Sequence, residues 1–543
     1  MNAKQNKMRT KGNCLWVTLM GIVLCASAGT VRAADVFMDD IAGGNGTGTS
    51  WENACRTWAE VSTALNNNDT LHVKEGIYTN GAAINLTETP ITVQGGYPQG
   101  NTGTDTTGRA PATYASILNS DGTYRVLTLQ YSQTWDGFTI QGGGGVTVGA
   151  GVYITAGSGA TVELRNCTIQ NNSINQTTTA DNQGGAGVHV TNVLASVTLR
   201  NCAIRNNTMT TTVDPGNSTG GGGLMARTFA GATLTVENCS FSNNTFQPGG
   251  TYAGAATVNG GGAVCVGRNA TFKACVFSSN SAVLTSSGSN PNQRFGGGAV
   301  FLLGAAYTAN FDRCHFLGNS CTVGATTSDY QGGGALLAQP SNITPPAPFN
   351  IINVTNSYFY NNSSNTHGSA IDTNAFWDAN GRYVNWNITH CTFDSNVNAA
   401  SRETIWIGRI NSGDSNSCAK ITNCLFFSNT GSASYPIQRL AASTNPYDAV
   451  TNPLFFGNTN DSASGITPSG TVTGDPLMSA GSYAIGLGSA AINAGAVIAG
   501  FQNDIQTPIG GESLRTDAAG NNLDIGCDEY GYVPVNVSAF AVE

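Results

Sequence analysis

Charge is what this sequence has least of. Asp, Glu, Lys and Arg make up only 10% of its 543 residues, and 23 Lys+Arg are outnumbered by 32 Asp+Glu. Phosphate binding needs clustered positive charge, so nucleic acid is excluded as the natural partner. Helical periodicity is nearly absent as well, while Gly alone contributes 69 residues beside abundant Asn, Ser and Thr. Such a chain is too polar and glycine-rich for a helical protein, yet 40% hydrophobic residues exclude wholesale disorder. No Cys-x-x-Cys pair or Cys/His spacing of a zinc site occurs. Long apolar runs are confined to the N-terminus, so no transmembrane span is expected in the mature chain.

That N-terminus reads as a secretory signal. Lys4, Lys7, Arg9 and Lys11 precede an apolar stretch from Cys14 to Gly29, and Val31-Arg32-Ala33 fits a cleavage site, placing the mature start near Ala34. Removing residues 1–33 takes five basic residues and no acid, leaving 18 Lys+Arg against 32 Asp+Glu, about −14. The expected location is secreted, extracellular, or associated with the cell surface or outer membrane.

What the sequence does have is one repeated phrase. It starts at Cys167, Cys202, Cys239, Cys275, Cys314, Ser357, Cys391 and Cys424, at intervals of 33 to 43 residues. Two positions on stands an apolar residue (Ile169, Ile204, Phe241, Phe277, Phe316, Phe359, Phe393, Phe426), and five positions on stands Asn (Asn172, Asn207, Asn244, Asn280, Asn319, Asn362, Asn396, Asn429). A fixed period of this size signals a solenoid. Each unit also carries a glycine-led strand, such as Gly297-Gly298-Ala299-Val300, and an alternating strand, such as Val197-Thr198-Leu199. Three short strands per unit and no crossover helix predict an all-β fold, a single-stranded right-handed parallel β-helix. Inward columns are then Leu164, Leu199, Val236, Phe272, Phe311, Val354, Ile388 and Ile421, beside a ladder of buried thiols. Between each Asn and the next glycine cluster lies a polar loop of variable length, where function is to be sought.

The organisation follows. Residues 34–135 form an N-terminal cap and first coils, with an amphipathic helix over 52–65 whose tryptophans pack. Regular repeats occupy 136–430, last coils and a C-terminal cap 431–530, and a tail 531–543.

The pairing of Gly-Gly-Ala-[Ile/Leu/Val] (Gly261–Val264, Gly297–Val300, Gly333–Leu336) with Phe-x-x-Asn (Phe241–Asn244 through Phe426–Asn429) resembles the repeat of polymorphic outer membrane proteins. That resemblance implies a surface-exposed β-helical passenger with an adhesive role. Those proteins resemble autotransporters with a C-terminal membrane barrel, for which this chain leaves no room. Its opening (Asp35 to Tyr97) and its closing segment (Ala491 to Gly495, Asp524 to Tyr530) look more like secreted β-helix proteins of pectate-lyase-like architecture.

Polysaccharide lyases and hydrolases share that architecture, so chemistry must be sought on outward columns. The outward residues of the glycine-led strands are Tyr153, His189, Met225, Cys265, Phe301, Leu337, Asp372 and Trp406, with a single carboxylate and no calcium set. A catalytic candidate is the group Asp372, Asp378, Asp394, Arg382, Arg402, Glu403 and Arg409, near Trp377, Trp386 and Trp406, which are suited to stacking on sugars. A solvated, ion-paired face is the plainer reading of that group. Tyr153 and Phe301 join the three tryptophans as a candidate ligand strip. Histidines 189, 315, 367 and 390 fall at different repeat positions and are expected to be structural or exposed. Asp517, Asn521, Asn522 and Asp524 are suited to calcium in the cap, with Asp517 and Asp524 the candidate metal ligands, but their spacing is not that of an EF-hand loop and a turn is the plainer reading; no other cofactor is expected. The leading expectation is a non-enzymatic surface that binds a glycan or a host or cell-surface protein. The alternative is a carbohydrate-active enzyme, a polysaccharide lyase or glycoside hydrolase acting on acidic polysaccharide.

Overall fold

The computed structural model describes residues 33–527, apart from 192–193, 215, 228–232, 250–257, 286–293, 305, 325–330, 341–349, 374–383, 401, 409–416, 432–433, 440–447, 497 and 499–523. The signal segment 1–32 lies outside the described residues. All strand pairing among the described residues is parallel, and consecutive coils stack in three long sheets. The alternating strands make a 13-stranded sheet from Asp35–Met38 to Ala449–Thr451. The repeated phrase makes a 12-stranded sheet ending at Leu454–Phe456, and the glycine-led strands make an 11-stranded sheet from Leu127–Leu129 to Ala463–Ser464.

The interior is built from like residues stacked on like. Phe241, Phe277, Phe316, Phe359, Phe393 and Phe426 lie in one column with ring centroids 4.6 to 5.0 Å apart and planes within 12° of parallel. That spacing is the distance between hydrogen-bonded strands, so stacking follows directly from register. Phe272 and Phe311 stack in the adjoining column at 5.0 Å. The repeat thiols of Cys167, Cys202, Cys239, Cys275, Cys314, Cys391 and Cys424 are free and buried, each donating to a backbone carbonyl two residues earlier.

The Asn column is a hydrogen-bond ladder. The Asn319 amide Nδ2 donates to Asn362 Oδ1 at 2.9 Å and to Phe277 O at 2.8 Å, while its Oδ1 accepts from Asn280 N at 3.1 Å and Asn280 Nδ2 at 3.0 Å. Left-handed backbone falls on the residue before each ladder asparagine, as at Asn171, Asn206, Asn243 and Asn361, and on the residue before the thiol, as at Asn166 and Asn201. Two one-residue corners per coil result. The ladder gains a ninth rung at Asn458, whose Oδ1 accepts from Asn429 Nδ2 at 2.8 Å; Leu454-Phe455-Phe456-Gly457-Asn458 is a further phrase that lacks the cysteine.

The helix is shorter than expected. It spans Trp58–Ala64, capped by the Thr57 hydroxyl accepting from Glu60 N. Cys55 cannot be helical because its N–H donates to Phe37 O at 2.8 Å and its carbonyl accepts from Asp39 N at 2.9 Å, extending the first strand's pairing. Trp58 and Val61 plug the end of the main core, and Trp51 packs beside Phe37 and Tyr97, so the tryptophans here are packing residues.

The loops depart most from expectation. In the middle coils they form two further sheets, one of seven strands from Ser173–Gln176 to Val397–Asn398 and one of four from Thr219–Gly220 to Gln331–Gly332. Ile174, Met209, Phe246, Ala282 and Cys321 stack in register in the seven-stranded sheet and close against Phe295 as a second core. The four-stranded sheet lies over the outer face of the glycine-led strands, where Met225, Cys265, Phe301, Leu303 and Leu337 form a third apolar cluster with Val258 of that sheet. Among the described residues, no helix is long and apolar enough to cross a membrane.

Candidate functional site

The outward column of the glycine-led sheet has the predicted order, with Tyr153, His189, Met225, Cys265, Phe301, Leu337, Asp372 and Trp406 paired rung to rung. Its exposure is not what was expected. Met225, Cys265, Phe301, Leu337 and Asp372 are each 0% exposed, so Phe301 belongs to no ligand strip. Loop sequences such as Val258-Asn259-Gly260 supply strands of their own, and these carry the cover across the column.

The cover thins toward the N-terminal coils. There the four-stranded sheet is reduced to single bridges, Gly184 with Gly220 and Val148 with Gly184. A cavity of about 550 Å³ opens, lined by Tyr153, His189, Met225 and Arg227 from the sheet and by Asp181, Asn182, Gln183 and Ser218 from loops, with Thr147, Val148 and Thr191 at its margin. His189 donates from Nδ1 to Gly184 O at 3.0 Å, leaving Nε2 as an acceptor with no partner among the described residues. Burial pushes its pKa down to about 4, so the ring is neutral at pH 7. Arg227 donates from Nη1 to Asn182 Oδ1 and retains further N–H groups. Gln183 donates from Nε2 to Asp181 O at 2.8 Å, while its Oε1 has no partner among the described residues. Tyr153 carries the Arg125 guanidinium 4.0 Å from its ring centroid, and Arg125 is itself fixed by Nε to Gly149 O at 2.8 Å and by Nη2 to Val148 O at 2.7 Å. Sequence reasoning reached Tyr153 and His189 by column but missed Arg125, Asp181, Gln183 and Arg227. Their convergence depends on loop paths; the polar run Asp181-Asn182-Gln183 before a glycine cluster was the available signal.

The catalytic candidates divide. Asp372, Arg402, Glu403 and Trp406 come together at the far end of the same column, around His367. Glu403 Oε1 accepts from His367 Nδ1 at 2.9 Å and from Gly368 N at 3.0 Å; Arg402 Nη1 contacts the other ring nitrogen, and Trp406 stacks on the ring at 4.2 Å. Asp372 and Glu403 are 0% and 1% exposed and Trp406 is 5% exposed, so these side chains do not form the expected solvated face. Asp394 lies elsewhere, on the phrase sheet, where it accepts from Tyr358 Oη at 2.6 Å, Ser395 Oγ at 2.7 Å and Gly481 N at 2.8 Å. Trp386 is 0% exposed inside the main core, on an inward position between Ile352 and Ala419, and offers no stacking surface. Trp377, Asp378, Arg382 and Arg409 lie outside the described residues, as does Asp517. Asp524 is buried and accepts from Asn493 N at 2.6 Å, tying together two segments 31 residues apart. Among the described residues no group of three or more His, Cys, Asp or Glu side chains converges as a metal site.

A family model described as right handed beta helix region matches residues 126–344. No curated protein matches the sequence. Among solved structures the chain is similar to a pectate lyase, at 12% identity over 92% of this chain and 97% of that chain with a TM-score of 0.36. It is similar also to a rhamnogalacturonan lyase, at 14% identity over 78% and 87% with a TM-score of 0.32. A third likeness is to the catalytic domain of an alpha-1,3-glucanase in complex with tetrasaccharides, at 14% identity over 74% and 66% with a TM-score of 0.29. The family match and the stacked coils together make this chain an all-β, single right-handed parallel β-helix with one short helical cap.

Proposed function

We propose that the protein binds carbohydrate in the pocket between Tyr153 and Arg227. One observation carries this reading: hydrogen-bonding groups of both kinds that lack a partner among the described residues share one cavity. The His189 Nε2 and Gln183 Oε1 accept, the remaining Arg227 N–H groups donate, and the Tyr153 hydroxyl does either. Sugar hydroxyls both donate and accept, and a few placed polar groups beside apolar walls such as Met225 and Val148 suit a small polar ligand. With export through residues 1–33, such binding supports an adhesive or glycan-capturing role at or beyond the cell surface. Purified protein screened against neutral and acidic polysaccharides should give saturable binding. Arg227→Ala should weaken it by about tenfold or more, the loss expected for charge-assisted hydrogen bonds. Uniformly negative screens of folded protein, with and without calcium, would sink the reading.

A second reading, a lyase on acidic polysaccharide, is favoured by a neutral imidazole and a guanidinium in one pocket. A lyase needs a base beside the abstracted proton and a cation to neutralise the uronate. The lyase reading predicts unsaturated chain ends from polygalacturonate, lost in Arg227→Ala; binding without turnover would leave the adhesive reading alone.

A further inference from the structure

We propose that the pocket takes the end of a saccharide chain and not an internal stretch. This rests on the carbohydrate reading above and adds to it what the walls of the site permit. A polymer bound along its length needs a lane running over the coils, and the outward column of the glycine-led sheet is the lane that the pocket occupies. Toward the C-terminal coils that lane is stopped beyond Met225, because Cys265, Phe301 and Leu337 are each 0% exposed beneath the four-stranded sheet. Toward the N-terminal coils it is stopped again by the Arg125 guanidinium, set 4.0 Å over Tyr153 and tied down by two backbone carbonyls. The loop residues Val148, Asp181 to Gln183 and Ser218 form a third wall.

Tyr153, His189 and Met225 occupy three successive rungs, which span roughly 10 Å at the usual strand spacing. A cavity of about 550 Å³ bounded in this way has room for about one or two sugar rings. A chain enters it by its terminus, and its remainder points to solvent.

The test uses the full mature chain and polysaccharides whose number of ends can be varied. Polygalacturonate, xylan, mannan and chitosan are each offered intact and after limited acid fragmentation, and half-saturation is expressed per mass of sugar. End recognition predicts that the mass needed falls in proportion to chain shortening for whichever polymer binds, and that its mono- or disaccharide competes. Half-saturation unchanged per mass, or weakened by fragmentation, overturns the end inference while leaving carbohydrate binding intact. Absence of binding by any intact or fragmented sugar overturns both. Tyr153→Phe and Arg227→Ala, each checked for an unchanged far-ultraviolet spectrum, should both weaken binding of the fragments; unchanged binding in both variants would place the ligand outside this pocket.

Discussion

His189 shows how one rung can be structural and functional together. Its Nδ1 holds the Gly184 carbonyl while its Nε2 faces the cavity, and burial keeps its pKa at about 4. An unfolded histidine titrates near 6.5, so folding favours the neutral ring. The stability this contributes is present above about pH 6.5 and is lost as pH falls toward about 4, by up to roughly 3 kcal/mol. Denaturation midpoints measured between those values should decline, and less steeply in His189→Gln; His315, also lowered to about 4, contributes in the same direction. Asparagine column and asparagine surface make a second contrast. Asn319→Ala removes four ladder bonds from a fully buried rung and should cost about 2–4 kcal/mol, whereas Asn353→Ala on the half-buried outer face should cost less than about 1 kcal/mol. Urea titration of the two variants checks the difference. Residues of the ladder were legible because a repeat repeats its buried bonds.

At the scale of the element, the glycine cluster explains itself only when coils are stacked. Gly297 has a φ of +66°, a left-handed corner, and a Cβ at Gly298 would stand 2.1 Å from Gly334 O and 2.5 Å from Ser320 O. Backbone cannot yield as a side-chain tip can. Gly298→Ala should therefore destabilise by more than about 2 kcal/mol and raise susceptibility to proteolysis at neighbouring loops, measured by limited digestion. The loops are the converse case. Ser173-Ile174-Asn175 and Thr208-Met209-Thr210 alternate over too few residues to be told from polar loop, and only register across coils turns them into a sheet with its own core. The four-stranded sheet, formed from other loops in the same way, is what hides Phe301 and leaves the pocket open at Tyr153.

On the whole-molecule scale the C-terminal segment is fastened across the last coils. Met478, Ile485, Ala491 and Ile525 pack on Leu425 and Leu454 outside the phrase sheet, and Asp394 reaches across 87 residues of chain to Gly481 N. Burial raises the pKa of Asp394, partly offset by its three hydrogen bonds. A carboxyl raised in the folded state stabilises it while protonated, and that contribution is lost as pH rises through the folded value. Asp394→Asn keeps acceptors for Tyr358 and Gly481 without the buried charge. The variant should lose less stability than wild type as pH rises from about 4 to neutrality, followed by thermal midpoint against pH.

The repeat alone dictates the coil. A period of 33 to 43 residues with fixed Phe and Asn positions can be satisfied only by stacking those residues on their own copies, so fold class, inward columns and rung order were all readable. The site was decided by tertiary structure. Whether an outward side chain meets solvent depends on where the loops travel, and loops of unequal length carry no period from which to read it. Tyr153 and Phe301 hold equivalent rungs of one column; a four-stranded cover that stops between them leaves one in a pocket and buries the other.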